Sequence, residues 1–236
     1  MDLQVIILAT GERTAEVAEF LAKKETENVV VINDERPFAE KLKEGFAYNN
    51  NKWAIMSNGD LLIKPGAIKS LYEYAEKHED EIFAAYGIID CKFLGKRYAS
   101  PKIYKTSFFP ALKEAVKDTI RPEASAIGGL KKDGKKLHEI NLLTAIHDYE
   151  QYYADIYIKG YVFGVKFYEH VMKYRFGLWE QQKRHDPDIQ VVIKGFEDGV
   201  KHKGELKIDR AFFDKAKILS NLKIEEKKPI PIINNI

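Results

Sequence analysis

Residues 1–90 alternate short apolar runs with segments of helical periodicity, and this alternation constrains the fold more than any other feature of the chain. Strands are predicted at 5–8, 28–32, 53–56 and 82–89, because each run is short, rich in β-branched residues and bounded by turn residues. The segments between the runs repeat apolar residues at the spacing of one helix face. The resulting β-α-β-α-β-α-β order indicates an α/β fold, with a mainly parallel, twisted sheet flanked by helices.

Polar clusters follow three of the predicted strands: Thr10-Gly11-Glu12, Asn33-Asp34 and Asn58-Gly59-Asp60. Because ligands of parallel sheets bind at the carboxyl ends of the strands, the three clusters are predicted to line one crevice. Asp60 could hold a hard divalent cation, and Gly59 would permit close approach of a ligand. Taken alone, Asn58-Gly59-Asp60 is more typical of a turn in which Asp60 caps the next element.

Regularity weakens after residue 90. The aromatic, basic stretch 92–110 predicts a long loop or hairpin, 128–134 a turn, 138–158 a helix, 160–168 a strand and 205–222 an amphipathic helix. On the predicted 138–158 helix, Asp148 could take a proton from an attacking hydroxyl or could lie on a solvated acidic face. Residues 179–185, which begin with Trp179, could bind a diphosphate, stack on a sugar or form an exposed basic turn. Two domains are predicted, 1–204 and a C-terminal helix and tail at 205–236.

Several classes of function are disfavoured. Net charge is +2, from 38 Lys+Arg against 36 Asp+Glu, which gives no reason to expect a nucleic-acid partner. Dinucleotide, P-loop and zinc motifs are missing from the sequence. The single Cys91, the lack of a signal peptide and the lack of about 20 consecutive apolar residues predict a cytoplasmic protein with no transmembrane segment. The Ile-rich tail could support a homo-oligomer.

The order of these motifs resembles the family 2 glycosyltransferases of the GT-A fold. Members open with a strand and a Thr or Ser loop, like residues 5–10, and their second strand ends in acidic residues that read the base, like residues 29–34. A later strand carries a metal-binding DxD signature followed by a hydrophobic-x-Pro-Gly segment, like residues 55–67. Downstream come a Gly-Gly turn, an acidic motif and a Gly-Tyr strand near a histidine, like 128–129, 147–150 and 160–170. The resemblance covers about residues 3–172.

This resemblance implies an inverting, metal-assisted transferase that moves a sugar from a nucleotide-diphosphate sugar to an acceptor hydroxyl. It implies Mg²⁺ or Mn²⁺ as cofactor, and leaves open a glycan, lipid or protein acceptor, whose pocket residues 92–110 would shape. The implied catalytic base is Asp148. The implied nucleotide-binding residues are Thr10, Glu12, Asn33, Asp34 and Asn58, and the implied metal residues are Asp60 and His170.

Two departures from the family pattern keep alternatives open. Asn58 stands at the first acid of DxD, and His147 stands at the first acid of the later acidic pair, so that His147 or His170 could compensate as a ligand. Asn58 favours a sugar-nucleotide-binding regulatory module without catalysis. A nucleotidyltransferase shares the sheet and the metal carboxylate, but it needs a glycine-rich basic loop, and residues 10–13 offer one Gly and one Arg.

Overall fold

A computed structural model of the chain describes residues 1–119, 121–132, 134–202 and 213–231. The described residues form two compact units. We name the first, which comprises Met1–Cys91 and Lys96–Tyr149, the sheet unit. The second, which comprises Lys92–Gly95 and Glu150–Pro231, is the helical unit. The predicted domain boundary at residue 204 lies outside the described residues and stays a prediction.

The described residues of the sheet unit contain a seven-stranded sheet. Its strands are β1 (Leu3–Ala9), β2 (Val29–Asn33), β3 (Trp53–Asn58), β4 (Leu61–Ile63), β5 (Ile82–Cys91), β6 (Gly95–Lys105) and β7 (Lys136–His147). They lie in the order β2-β1-β3-β6-β5-β7-β4. Pairs β1–β2, β1–β3 and β5–β7 are parallel, whereas β3–β6 and β4–β7 are antiparallel. The α/β class is confirmed, with a sheet that is mixed.

Helices cover both faces of this sheet. They are α1 (Ala15–Lys23), α2 (Phe38–Gly45), α3 (Ala67–Lys77), α4 (Phe109–Ala115) and α5 (Pro122–Lys132). Successive side chains of a strand point to opposite faces. Ile6 and Leu8 of β1 therefore pack with α2, α4 and α5, whereas Val5 and Ile7 pack with α1 and α3. Burial on both faces explains why β1 is a continuous apolar run.

The four strands and three helices predicted within residues 1–90 are confirmed. Residues 92–110 contain β6, which lies beside β5 in the sheet, so the hairpin interpretation is also confirmed. The three-residue β4 was missed because it is too short to show a period.

Three downstream predictions are wrong. Residues 138–147 form most of β7 instead of a helix, because pairing with β5 on one side and β4 on the other outweighs the local helical period. The predicted turn at 128–134 falls largely in α5, whose Ala126 and Leu130 are buried in the sheet core. The predicted strand at 160–168 is helical. Of the predicted 205–222 helix, the described part contains Lys215–Leu222 as helix.

The helical unit contains α6 (Tyr153–Lys166), α7 (Tyr168–Tyr174), α8 (Phe176–Gln182), α9 (Pro187–Val200) and α10 (Lys215–Leu222). Glycines bring α6 and α9 into backbone contact: a Cβ at Gly160 would lie 2.2 Å from the Val192 carbonyl, and one at Gly195 would lie 2.2 Å from the Tyr157 carbonyl. This close packing explains why residues 160–168 are helical despite their β-branched and aromatic side chains. Among the described residues, no helix has the length and apolar character needed to cross a bilayer.

Candidate active site at the strand ends of the sheet unit

The loop after β1 is joined to the end of β2. Thr10 donates from its backbone N and from Oγ1 to the Glu12 carboxylate, at 2.5 Å in each case. The Gly11 N donates to Asn33 Oδ1 at 3.0 Å. Three of the predicted nucleotide-binding residues, Thr10, Glu12 and Asn33, therefore belong to one hydrogen-bonded edge.

Gly59 allows the end of β3 to approach this loop closely. A Cβ at Gly59 would lie 2.8 Å from Glu12 Oε2 and 2.9 Å from the Ala9 Cβ. Thr14 Oγ1 donates to the Gly59 carbonyl at 2.8 Å. The sequence suggested that Gly59 permits close approach of a ligand. In the structure, the group that approaches Gly59 closely is the side chain of Glu12.

Asp34 lies at the end of β2 beside a guanidinium. Arg36 donates to Asp34 Oδ2 from Nε at 3.0 Å and from Nη2 at 2.5 Å, and its Nη2 also lies 2.6 Å from Glu44. The hydrogen bond from Arg36 lowers the pKa of the Asp34 carboxyl below its ordinary value. Asp34 is thus an ionised hydrogen-bond acceptor at neutral pH.

A buried lysine supports the same edge. Lys41 of α2 is fully buried, and its Nζ donates to the Ala9 carbonyl at 2.7 Å and to the Asp34 carbonyl at 3.1 Å. The ammonium group thereby joins the carboxyl ends of β1 and β2. The sequence gives no signal for this role, because Lys41 looks like any lysine on an amphipathic helix.

Four further side chains meet at the other strand ends, and we call them the strand-end cluster: Asp60, Cys91, His147 and Asp148. Pairing brings them together, because His147 of β7 lies opposite Cys91 of β5 and opposite Leu61, the residue after Asp60. His147 Nε2 lies 3.3 Å from Asp60 Oδ2, and His147 Nδ1 lies 2.9 Å from Asp148 Oδ2. The Cys91 thiol donates to Asp148 Oδ2 at 3.2 Å.

Asp148 lies just past β7, and not within a helix as the sequence suggested. Its φ is 66°, in the left-handed region that Asp tolerates better than most residues, and its backbone N donates to the Asp60 carbonyl at 3.3 Å. This turn directs the carboxylate into the cluster, where the residue is 0% exposed. The sequence analysis gives Cys91 no role in the site, although its place at the end of the predicted fourth strand is a signal for one.

The donor atoms of the cluster suit a divalent cation. Ligand atoms of Cys91, His147 and Asp148 all lie within 4.8 Å of one another. With metal–ligand bonds of about 2.1 Å, neighbouring ligands of an octahedral ion lie about 3 Å apart, so the 3.3 Å between Asp60 and His147 is suitable for a shared ion. The contact of His147 Nδ1 with Asp148 matches the carboxylate that commonly orients a metal-binding histidine.

A cavity of about 600 Å³ adjoins the cluster, and His147 and Asn58 are among its lining residues. The rest of its wall comes mainly from β5, β6, α5 and the start of β7. Its charged walls carry four basic residues and one carboxylate besides the histidine: Arg97, Lys102, Arg121, Lys131 and Glu123. The 92–110 stretch, predicted to shape a pocket, contributes five of the lining residues: Arg97, Tyr98, Ala99, Ser100 and Lys102.

The last two candidates belong to the helical unit. His170 lies on α7, where a strand end was predicted, and its exposed ring is 5.1 Å from that of Tyr174. Its predicted metal role stays a prediction. Trp179 is 1% exposed and donates from Nε1 to the Phe93 carbonyl at 3.1 Å, so it is a core residue of this unit and not a platform for a sugar.

The α/β sheet with polar loops at its strand ends defines a fold of the GT-A and nucleotidyltransferase type. A family model described as Glycosyl transferase family 2 matches residues 1–130, which is more than half of the 236 residues. The chain therefore belongs to glycosyl transferase family 2, as the order of its motifs indicated. It is a nucleotide-sugar-related transferase by family.

Solved structures with similar folds are distant. The bifunctional IspDF from Campylobacter jejuni is 16% identical, and the match has a TM-score of 0.38. It covers 60% of this chain and 50% of that chain, so this chain spans about half the length of that protein. A cytidylyltransferase from Leptospira borgpetersenii is 11% identical over 87% of this chain and 99% of that chain, with a TM-score of 0.42. A search of curated proteins found no match.

Proposed function

We propose that this protein is a metal-assisted glycosyltransferase that moves a sugar from a nucleotide-diphosphate sugar to an acceptor hydroxyl with inversion. The observation that best supports this function is the convergence of Asp60, His147 and Asp148 beside a cavity, in a chain of family 2. The acceptor class, whether glycan, lipid or protein, stays open, as do the predicted cytoplasmic location and homo-oligomer.

The nucleotide would bind along the joined ends of β1 and β2. Thr10, Glu12 and Asn33 lie beside it in this proposal, and Asp34 accepts hydrogen bonds from the base. Support comes from the hydrogen bonds that preorganise this edge and from the lowered pKa of Asp34, which keeps its carboxylate an acceptor.

Asp60 and His147 would hold the divalent cation. Asp148 would contact the other ring nitrogen of His147, Nδ1. Imidazole and carboxylate together suit Mn²⁺ better than Mg²⁺, which prefers oxygen ligands. A bound cation would neutralise charge on the departing diphosphate. This choice of His147 rests on its 3.3 Å contact with Asp60, and His170 remains the alternative ligand from the sequence.

Asp148 has two competing roles in this site. As the base, it takes the proton of the acceptor hydroxyl, which requires the turn after β7 to open, because the carboxylate is fully buried. Catalytic hydrogen bonds often form only in the substrate complex, so burial does not rule this out. As a positioning residue, it would instead orient His147 through Nδ1.

The test is transfer and hydrolysis with a panel of nucleotide sugars in the presence of Mn²⁺. We compare the wild type with Asp60→Asn and Asp148→Asn, and use Asp80→Asn as a control, because Asp80 is exposed and outside the cluster. A base contributes about 10²–10⁴-fold to the rate. Wild-type turnover in both cluster variants would disprove the mechanism.

Calorimetry with Mn²⁺ distinguishes the two roles of Asp148. If it acts only as the base, Asp148→Asn binds Mn²⁺ as the wild type does. If it orients His147, Mn²⁺ affinity falls about 10–100-fold, as is typical when the partner of a metal-binding histidine is lost.

The product separates the alternative functions. A nucleotidyltransferase would release diphosphate from a nucleoside triphosphate and a sugar phosphate, whereas a glycosyltransferase releases a nucleoside diphosphate. A regulatory module would bind the nucleotide sugar without turnover. Absence of nucleotide binding would contradict all three.

A further inference from the structure

The cavity beside the strand-end cluster has an excess of positive charge. Arg97, Lys102, Arg121 and Lys131 line it, against the single carboxylate of Glu123. That carboxylate is already engaged, because Lys102 Nζ lies 2.5 Å from Glu123 Oε2 and the Tyr104 hydroxyl donates to Oε1 at 2.8 Å. The carboxylate of Glu123 is therefore already paired with Lys102.

Two of these cations have no acidic partner within the described part of the chain. Neither Arg97 nor Lys131 forms an ion pair there, and both side chains are exposed at the cavity. Charges of one sign along a concave wall focus the electric field and raise the local concentration of counter-ions. The cavity is therefore suited to a ligand with more than one negative charge.

The cavity is separate from the predicted nucleotide edge. Thr10, Glu12, Asn33 and Asp34 follow β1 and β2, on one side of β3, and none of them lines the cavity. The lining residues come mostly from elements on the other side of β3. Asn58, at the end of β3, is the one predicted nucleotide-binding residue that they include. An anion in this cavity would thus lie away from the nucleotide base at the β1–β2 edge, and beside the donor diphosphate that the proposed cation at Asp60 and His147 would hold.

The remaining walls are aromatic and apolar. The rings of Tyr86 and Tyr98 meet edge to face with centroids 6.2 Å apart, and Tyr98 is 43% exposed. Leu61, Ile89 and Leu137 also line the cavity. A ligand with an anionic group and a less polar body would satisfy both kinds of wall.

We propose that this cavity is the acceptor site and that it binds the acceptor through a phosphate ester, held by Arg97 and Lys131 next to His147. This assignment rests on the proposed glycosyl transfer and adds the chemical class of the acceptor. Arginine in particular matches the oxygen geometry of phosphate. The phosphate could belong to a soluble sugar phosphate or to a lipid phosphate.

The first experiment measures binding of inorganic pyrophosphate, glucose 6-phosphate and vesicles of phosphatidylcholine with or without phosphatidic acid, by calorimetry and vesicle sedimentation. The variant is the double substitution Arg97→Ala and Lys131→Ala. Lys113→Ala is the control, because Lys113 is an exposed helical lysine outside the cavity. We expect the double variant to lose about tenfold or more in affinity for the anions, because it removes charge-assisted hydrogen bonds, which are stronger than neutral ones, and we expect UDP or GDP affinity to be unchanged.

A second variant fills the cavity without changing charge. A Cβ at Gly128, which lines the cavity, meets nothing within 4 Å, so Gly128→Leu should fold and occupy the space. Gly177→Leu is the matched control, because its Cβ also meets nothing and Gly177 does not line the cavity. We expect weaker anion binding in Gly128→Leu alone, with the unfolding temperatures of both variants close to that of the wild type.

The outcomes separate the two proposals. Preferential binding of glucose 6-phosphate supports a soluble acceptor, and preferential binding of phosphatidic acid vesicles supports a lipid one. Anion binding that is absent, that survives both cavity variants, or that competes with UDP or GDP for one site would overturn the acceptor site. If no nucleotide binds to the wild type, the proposed glycosyl transfer fails instead.

Discussion

Each unit contains a buried aspartate, and the two differ in the groups that contact their carboxylates. Asp148 of the sheet unit is 0% exposed, and Asp188 of the helical unit is 3% exposed. Asp188 lies between two ammonium groups, with Lys92 Nζ at 2.7 Å and Lys227 Nζ at 2.6 Å. Asp148 instead contacts the imidazole of His147 and the thiol of Cys91.

The partners, and not the burial, distinguish a structural acid from a candidate catalytic one. A buried charge that is matched by opposite charges stabilises one arrangement of the chain. A buried carboxylate among metal-binding or titratable groups is the pattern that is common at functional sites. The comparison predicts that Asp148 matters for activity and Asp188 for stability, and the variants of these two residues test its two sides first.

The largest effect is expected at Asp148. The change Asp148→Asn keeps the shape of the side chain but removes its charge, and we expect turnover of the nucleotide sugar to fall about 10²–10⁴-fold if it is the base. Steady-state kinetics of sugar transfer measure the loss. The unfolding midpoint in urea is the control, because the comparison requires it to stay close to the wild-type value. A large loss of stability with normal turnover would reverse the assignment.

Asp188 should show the opposite result. Asp188→Ala leaves Lys92 and Lys227 near each other without their shared carboxylate, and breaking a buried ion pair in this way costs about 3–5 kcal/mol. Urea unfolding measures this, and the turnover per folded molecule should stay at the wild-type value. Asp118→Ala, at an exposed acid of the sheet unit, is the control.

The stabilisation around Asp188 should also depend on pH. Burial alone lowers the pKa of Lys92, but the hydrogen bonds and charges of Asp188 and Asp186 outweigh it and raise that pKa above its ordinary value. A raised lysine pKa stabilises the fold fully below the unfolded value of about 10.4 and loses this contribution as pH rises through the folded value. Stability that declines more steeply at alkaline pH in the wild type than in Lys92→Met would agree with this sign.

A smaller effect is expected where α6 and α9 touch. In Gly195→Ala, the new Cβ would lie 2.2 Å from the Tyr157 carbonyl, so the two helices must separate, and overpacking of this kind costs about 1–3 kcal/mol. Gly177→Ala is the matched control, because its Cβ meets nothing within 4 Å and alanine favours a helix by up to about 1 kcal/mol. The midpoint of urea unfolding should therefore fall in Gly195→Ala and rise in Gly177→Ala. Equal shifts would show that the backbone contact is unimportant.

The sequence could predict the features that depend on local patterns, but not those that depend on contacts between distant segments. The strands and helices of residues 1–90 were predictable, because their burial follows local periods that are visible in the chain. The geometry of Asp148 was not, since it depends on β7 pairing with β5 and β4, which are distant in sequence. Asp60 was found because it directly follows a strand, whereas Lys41 and Cys91 act through contacts with distant residues.

Gly160 and Gly164 show how a pattern can mislead. Their spacing of four residues is that of one helix face, but the neighbouring Tyr161, Val162 and Phe163 have strand propensity, and the segment was predicted as a strand. The decisive interaction is the contact of both glycines with the backbone of α9, at the Val192 and Phe196 carbonyls. That partner lies more than thirty residues later, so local propensity could not reveal it.

The smallest effect is expected at Asp34, which is only half-buried. The hydrogen bond from Arg36 lowers the pKa of the Asp34 carboxyl, so its contribution is present above the unfolded value of about 3.9 and is lost as pH falls through the lower folded value. Arg36→Ala should raise this pKa towards the ordinary value, as a carboxyl NMR titration would measure, with Asp80 as the control carboxyl. If Asp34 accepts hydrogen bonds from the base, nucleotide binding in the variant should weaken at a higher pH than in the wild type as the solution is acidified. If the pKa shifts but nucleotide binding does not change, the ion pair with Arg36 is real but Asp34 does not belong to the nucleotide site. Asp34 would then have a structural role, as Asp188 does.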